Sequence, residues 1–262
     1  MNCNSCGSDR LTRVYKAEFG YIMMCENCGL VFRDYSGERR NIYARYDRML
    51  ADSHIDRFKH TVKLLSGQTM NTCLDIGSGS GDFIAMLKKA GAGSCTAIEP
   101  SQSLVDGLAK RVSGLTVFNG YVDDFAPTNG CDLITALGCH YLFKDHSSTL
   151  KKIARLLNDD GVFYFDGNAF VDMRSFVGKT NKVCNTHDLF DGNPMLNWWF
   201  TENGLGFQVE KYFEIVREER MCYGGAYFLG LLCKKREVRP LAEPTHNVEF
   251  VKMTLNKLGV IL

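Results

Sequence analysis

Apolar positions along the chain follow two alternating rhythms. Between Tyr43 and Gly67, Ile55, Phe58, Val62 and Leu65 recur at helical spacing, which predicts a lead-in helix with one buried stripe. From Thr72 onward the rhythm shortens. Thr72-Cys-Leu-Asp-Ile76 reads as a strand, Asp82-Phe-Ile-Ala-Met-Leu-Lys-Lys89 as a helix and Ser94-Cys-Thr-Ala-Ile98 as a second strand. The alternation continues through Leu115-Thr-Val-Phe118, through Cys131-Asp-Leu-Ile-Thr-Ala-Leu137, through a helix with Leu150, Ile153, Ala154 and Leu157 on one face, and through Val162-Phe-Tyr-Phe165. Strands joined by helices run parallel, so this pattern predicts a parallel sheet covered by helices. The end of the chain differs: too few residues separate the runs 206–216 and 226–233 for a crossover helix, and they are expected to pair antiparallel. Trp198 and Trp199 are assigned to a helix near Pro194. Val248, Val251, Leu255 and Leu258 predict a docked tail helix.

Composition narrows the class. With 45% hydrophobic and 23% charged residues the chain can bury a core, which excludes long disorder. At roughly 150 residues per domain, 262 residues make one full domain and an appendage. No apolar run approaches the roughly eighteen residues of a membrane span, and Met-Asn-Cys-Asn-Ser-Cys lacks the layout of a signal peptide, so a cytoplasmic protein is expected. Lys plus Arg number 31 against 30 Asp plus Glu, so no bulk positive field favours nucleic acid as a partner.

Eleven cysteines change the picture at the N-terminus, because their odd count in a reducing compartment argues against a disulfide framework. Cys3 and Cys6 form one C-x2-C and Cys25 and Cys28 another, with 18 residues between the pairs. This is zinc-site spacing. Gly7 and Gly29 follow each pair, where a positive φ lets backbone amides fold toward the sulfurs. Four thiolates close a tetrahedral site with no open position, so the zinc is expected to be structural. Residues 1–40 are assigned to a small zinc ribbon and 41–262 to the main domain. Cys73, Cys95, Cys131, Cys184, Cys222 and Cys233 are scattered singly and read as packing, with Cys139, beside His140, as the one exception.

The first strand of the main domain runs into Asp75-Ile-Gly-Ser-Gly-Ser-Gly-Asp82, whose Gly77, Gly79 and Gly81 let backbone approach a ligand. The dinucleotide fingerprint would need glycine where Asp82 stands, and a carboxylate there repels a pyrophosphate. Asp75 and Asp82 instead favour a cationic ligand, for which S-adenosylmethionine is the candidate. Glu99 closes the second strand, where a carboxylate can accept hydrogen bonds from ribose hydroxyls. Over residues 70–235 the chain resembles the class I, Rossmann-like S-adenosylmethionine-dependent methyltransferases, carried by Leu-Asp-Ile-Gly-Ser-Gly-Ser-Gly and Ala-Ile-Glu-Pro-Ser. It also resembles the subgroup with an N-terminal four-cysteine zinc ribbon, often met in sugar and surface-polysaccharide pathways. The resemblance implies a seven-stranded, doubly wound α/β sheet with an antiparallel last strand. It further implies that Asp75, Gly77, Gly79 and Gly81 line the methionine side and that Glu99 holds the ribose. The family's usual acid after the third strand is replaced in Asn-Gly-Tyr121-Val-Asp-Asp, leaving Tyr121, by stacking, and Asp123, by a hydrogen bond, as alternatives for the adenine.

Acceptor chemistry is expected beyond the C-terminal ends of the fourth and fifth strands, at Gly138-Cys139-His140-Tyr141 and Asp166-Gly-Asn168. Gly138 is counted with the cofactor residues. His140 is the candidate base, with an ordinary pKa near 6.5, and His187 in Thr186-His187-Asp188 is the second. Tyr43 and Tyr46 are candidates for a lid over the cofactor. The leading function is transfer of a methyl group to an oxygen or nitrogen of a small molecule, a sugar or nucleotide sugar. Two alternatives stand beside it. One is an RNA methyltransferase using the ribbon as a clamp, against which the first forty residues carry six Lys or Arg and five Asp or Glu. The other is a non-catalytic, zinc-stapled binding module.

Overall fold

The computed structural model describes residues 1–34, 55–167, 190–191, 196–223, 226–236 and 247–257. The N-terminal segment forms β1 (Leu11–Lys16), β2 (Tyr21–Cys25) and β3 (Val31–Asp34), an antiparallel meander. Helix α1 (Ile55–Leu65) then leads into β4 (Thr72–Ile76), α2 (Asp82–Lys89), β5 (Ser94–Glu99), α3 (Gln102–Arg111), β6 (Leu115–Asn119) and β7 (Cys131–Leu137). Helix α4 (His146–Leu156), β8 (Leu157–Gly167), β9 (Trp198–Trp199), α5 (Glu202–Glu210), β10 (Phe213–Tyr223), β11 (Ala226–Lys235) and α6 (Asn247–Lys257) follow.

The large sheet has seven strands in the order β10-β11-β8-β7-β4-β5-β6. The pairs β4–β5, β5–β6, β4–β7 and β7–β8 are parallel, and β11 runs antiparallel to both β8 and β10. The α/β sheet with its antiparallel last strand is therefore as the sequence implied. The central strands are nearly continuous apolar runs because both faces are covered. On one face Cys73, Cys95, Leu133 and Tyr164 meet Leu64 and Leu65 of α1, Ile84 and Leu87 of α2 and Leu108 of α3. On the other, Leu74, Ile134 and Phe163 meet Leu150 and Ile153 of α4 and Leu205 and Val209 of α5. Strand order reverses at β4, with β5 on one side and β7 on the other, which opens a crevice above their C-terminal ends.

Three local expectations are corrected. Residues 202–210 form a helix rather than the start of a strand: Thr201 caps it by accepting the Gly204 N–H at 3.0 Å, and Leu205, Gln208 and Val209 are its buried face. The following strand, β10, begins only at Phe213 and runs on through the polar Arg217-Glu-Glu-Arg220, which an edge strand tolerates. Trp198 and Trp199 are a strand, pairing with Phe32 and Val31 as the fourth member of the ribbon sheet. Leu157 opens β8 and does not belong to α4.

The tail helix docks on the ribbon. Val251 and Leu255 of α6 pack with Val14, Ile22, Met24, Val31 and Trp199. A division of the chain at residue 40 is thus not a division in space, since the ribbon draws β9 and α6 from far along the sequence. Leu258 lies outside the described residues. Among the described residues no helix is long and apolar enough to cross a membrane.

Candidate functional site

The glycine loop leaves β4 and is pinned to the end of β5, with Gly77 and Ser78 donating their N–H groups to the Ile98 carbonyl at 2.8 and 3.1 Å. Gly77 has φ +70°, and a Cβ there would come within 3.0 Å of the Cys139 side chain, so glycine is needed for conformation and space alike. Gly79, at φ +54°, is different: among the described residues nothing lies within 4 Å of where a Cβ would stand, so its Cα side faces open space. Gly81 caps the start of α2 in the left-handed conformation. Glu99 is only 4% exposed, and its two carboxylate oxygens accept the N–H groups of Gly79 and Ser101, each at 2.9 Å. These bonds fix a carboxylate beside the open glycine.

Asp75 sits on β4, 3% exposed, and accepts the Thr135 hydroxyl at 2.7 Å. Burial pushes its carboxyl up to about 7, against the hydrogen bond from Thr135. Asp82 serves otherwise than expected: Arg111 meets it at 2.7 Å and Ser80 donates to it at 2.5 Å, so its charge is already compensated at the surface. Asp75 and Glu99 are the two buried carboxyl groups beside the glycine loop. Since a cation stabilises ionised Asp75, its binding should release a proton below about pH 7. Affinity for S-adenosylmethionine should therefore rise with pH, by at most about tenfold per unit, as pH approaches about 7 and then level off. Calorimetry in buffers of different ionisation enthalpy would show this, and a flat profile would remove Asp75 from the cofactor's charged end.

Tyr121 and Asp123 flank the buried Val122 just past β6. Asp123 is tied to α4, where Thr149 donates to it at 2.9 Å, whereas the Tyr121 side chain is 41% exposed at the rim.

Beyond β7, Gly138 has φ +65° and donates its N–H to both the carbonyl and the Oδ1 of Asp166, each at 2.9 Å. Cys139 donates its thiol to the Ile76 carbonyl at 3.0 Å. His140 opens a single 3-10 turn, 1% exposed, and its ring lies edge-on to Tyr141 and Phe165. His140 Nδ1 shares a hydrogen bond of 3.2 Å with Nε2 of His146, and Gly167 has no Cβ where the His140 ring stands. Burial lowers the His140 pKa to about 3. The expectation of a loop base with an ordinary pKa is corrected: an imidazole enclosed by aromatic rings loses the water that stabilises its charged form. An NMR titration should find the His140 ring neutral from about pH 5 to about pH 9, and an inflection near 6.5 would restore the base role. His187, Tyr43 and Tyr46 lie outside the described residues.

Periodicity missed Arg57. The buried stripe of α1 is Arg57, Thr61, Leu64 and Leu65, in which a cation occupies an inward position. Its Nη1 meets Asp166 Oδ1 at 2.5 Å, and the two side chains are 3% and 0% exposed. The guanidinium lies over the Phe228 ring at 4.6 Å. Arg57 Nε and Asp166 Oδ2 are buried and have no hydrogen-bond partner among the described residues. No apolar count could signal an arginine here. Asp166 was legible as the residue just after the expected strand Val162–Phe165, and β8 carries it within its last two residues.

In the ribbon the four sulfurs of Cys3, Cys6, Cys25 and Cys28 all lie within 4.8 Å of one another. Cys3 to Cys28 and Cys6 to Cys25 are both 3.6 Å, against about 3.8 Å between sulfurs on a tetrahedral zinc with bonds of ~2.3 Å. Gly7 and Gly29 each return an N–H to the first cysteine's carbonyl at 2.9 Å, and the Ser5 N–H reaches Cys3 Sγ at 3.4 Å. The donor set fits zinc.

A sequence model of the methyltransferase domain matches residues 43–207. The chain belongs to the methyltransferase-domain family. The methyltransferase fold is shared with a chain of the Haloferax volcanii complex containing the Trm112 methyltransferase activator, at TM-score 0.62 and 15% identity over 78% of this chain and 100% of that one. It is also similar to the N-methyltransferase NodS of Bradyrhizobium japonicum in complex with S-adenosyl-L-homocysteine, at TM-score 0.57 and 17% identity over 75% of this chain and 100% of that one. A third likeness is to magnesium protoporphyrin IX methyltransferase of Synechocystis with bound S-adenosylhomocysteine, at TM-score 0.57 and 13% identity over 76% of this chain and 96% of that one. No curated protein matches the methyltransferase in sequence.

Proposed function

We propose that this methyltransferase moves the methyl group of S-adenosylmethionine to an oxygen or nitrogen of a sugar or nucleotide sugar, and that its ribbon holds one structural zinc on Cys3, Cys6, Cys25 and Cys28. The observation that carries the cofactor reading is Glu99, held by the Gly79 and Ser101 N–H groups beside an open glycine loop. When bound, S-adenosylmethionine supplies a methyl group activated by its sulfonium. Glu99 would hold the ribose hydroxyls, Asp75 would favour the cationic end, and the exposed Tyr121 ring, rather than the tethered Asp123, would cover the adenine. Gly138 lines the crevice where β7 ends, and the Arg57–Asp166 pair stands behind it. In-line methyl transfer needs alignment, which this hydrogen-bonded wall would supply, and loss of the acceptor's proton, which an amine near its own pKa gives to water and a hydroxyl gives to a base. The sugar acceptor rests on the resemblance to the ribbon-bearing subgroup met in sugar and surface-polysaccharide pathways.

The acceptor class is tested by transferring tritiated methyl from labelled cofactor into a panel of nucleotide sugars and into total RNA. Label in a nucleotide sugar is expected. Label confined to RNA would replace the sugar with a nucleic acid.

A further inference from the structure

The first cysteine knuckle holds more than two sulfurs. Asn4, between Cys3 and Cys6, reaches the start of α4: its Nδ2 donates to Asp145 Oδ1 at 2.7 Å and its Oδ1 accepts the Ser147 N–H at 3.0 Å. Asp145 is the N-cap of that helix and accepts the Ser148 N–H at 2.8 Å. The first N–H groups of a helix have no partner within it, and here the ribbon satisfies one of them from 143 residues away. Lys211 Nζ donates to the Ser5 carbonyl and ties the same knuckle to the turn ahead of β10.

The contacts continue inward. His146, the first residue of α4, shares its hydrogen bond with His140, whose loop carries Gly138 on Asp166 and Cys139 on Ile76 and against Gly77. The second knuckle leads to the same loop by another route. Strand β3 pairs with Trp198 and Trp199, Trp198 Nε1 donates to the Phe143 carbonyl at 2.5 Å, and the Asn197 N–H to that of Tyr141 at 3.0 Å. Apart from the exposed Ser148 N–H, these steps join buried or half-buried groups.

We propose that Asn4 is a positioning residue for the methyltransferase site. Metal ligation by Cys3 and Cys6 sets Asn4, Asn4 sets the N-terminus of α4, and α4 sets the loop of residues 138–142 that backs the glycine loop. Zinc occupancy is thereby coupled to cofactor affinity through Asn4, Asp145, His146 and Ser147, which touch neither group. This rests on the zinc and cofactor readings above, and its test keeps them separate.

The test uses the full-length chain and its Asn4→Ala variant, with zinc content, amide hydrogen exchange and S-adenosylhomocysteine affinity measured on both. The variant should keep its zinc, while the Ser147 and Ser148 amides exchange about 2- to 30-fold faster, the range for losing one helix-capping bond. Cofactor-product affinity should fall by no more than that factor, and the imidazole resonances of His140 and His146 should shift. Stripping metal from the wild type with a chelator should reproduce the losses at Ser147, Ser148 and in affinity. Unchanged exchange at these amides would overturn the proposal. So would faster exchange with unchanged affinity, or zinc loss with effects confined to residues 3–7, either of which restricts Asn4 to the ribbon. A wild type without zinc sinks the metal reading, and one that holds zinc yet binds no S-adenosylhomocysteine sinks the cofactor reading. Each is read before the variant, and each also overturns the coupling.

Discussion

Cys25→Ser should release the ribbon's zinc and unfold residues 1–34. Cys25 is fully buried at the end of β2, and a serine oxygen is a poor fourth ligand where three thiolates remain. Structural zinc in small modules carries an apparent ~10–16 kcal/mol that is folding free energy. The damage should spread, because β3 anchors Trp198 and Trp199 and the ribbon face anchors α6. Metal analysis, far-UV circular dichroism and limited proteolysis would follow it. Metal binding should also release protons: the Cys3 thiol is pushed up to about 12 and that of Cys28 higher still, first by their hydrogen bonds to Cys25. Zinc affinity should therefore weaken as pH falls. A Cys25→Ser protein that holds its metal and resists protease would contradict a metal-held ribbon.

Arg57→Ala should lower the folding stability by about 3–5 kcal/mol at neutral pH, the usual cost of leaving one member of a buried ion pair alone. Burial already pushes the Asp166 carboxyl up to about 6 even though Arg57 pulls it down. The folded chain consequently holds a proton that the unfolded chain has shed between about pH 4 and pH 6, so this group's contribution falls as pH rises through that window and is flat above it. Without Arg57 the window extends upward, and the deficit of the variant should be larger at about pH 8 than at about pH 5. Urea unfolding at both values measures it. Equal deficits would mean that Arg57 contributes by packing on Phe228 rather than by charge.

The parallel core was legible because each buried strand is a short apolar run bounded by turns, as in Thr72–Ile76 and Cys131–Leu137. The cysteine pairs were legible because metal spacing is local. What the pattern could not carry was long-range. Nothing near Gly138-Cys139-His140-Tyr141 announces that residues 197–200 cover it, and that cover buries the His140 ring, whose pKa burial lowers. The α1 stripe misled for a related reason: Phe58 and Val62 mark a helix correctly, but its most buried face carries a cation whose partner is 109 residues away. Residues 206–210 alternate like a strand over too short a span to decide, and the Thr201 cap settles them as helix. Asn4 carried no signal in the sequence, since its partners sit 141 and 143 residues on.

Calorimetric titration of S-adenosylhomocysteine into the wild type and Glu99→Ala tests the central claim most directly. Binding of about one molecule per chain is expected, and removing the carboxylate that would grip the ribose should weaken it by about 2–3 kcal/mol, or about 30- to 150-fold. A wild type that binds nothing, or a variant that binds as tightly as the wild type, would contradict the placement of the cofactor between the glycine loop and Glu99.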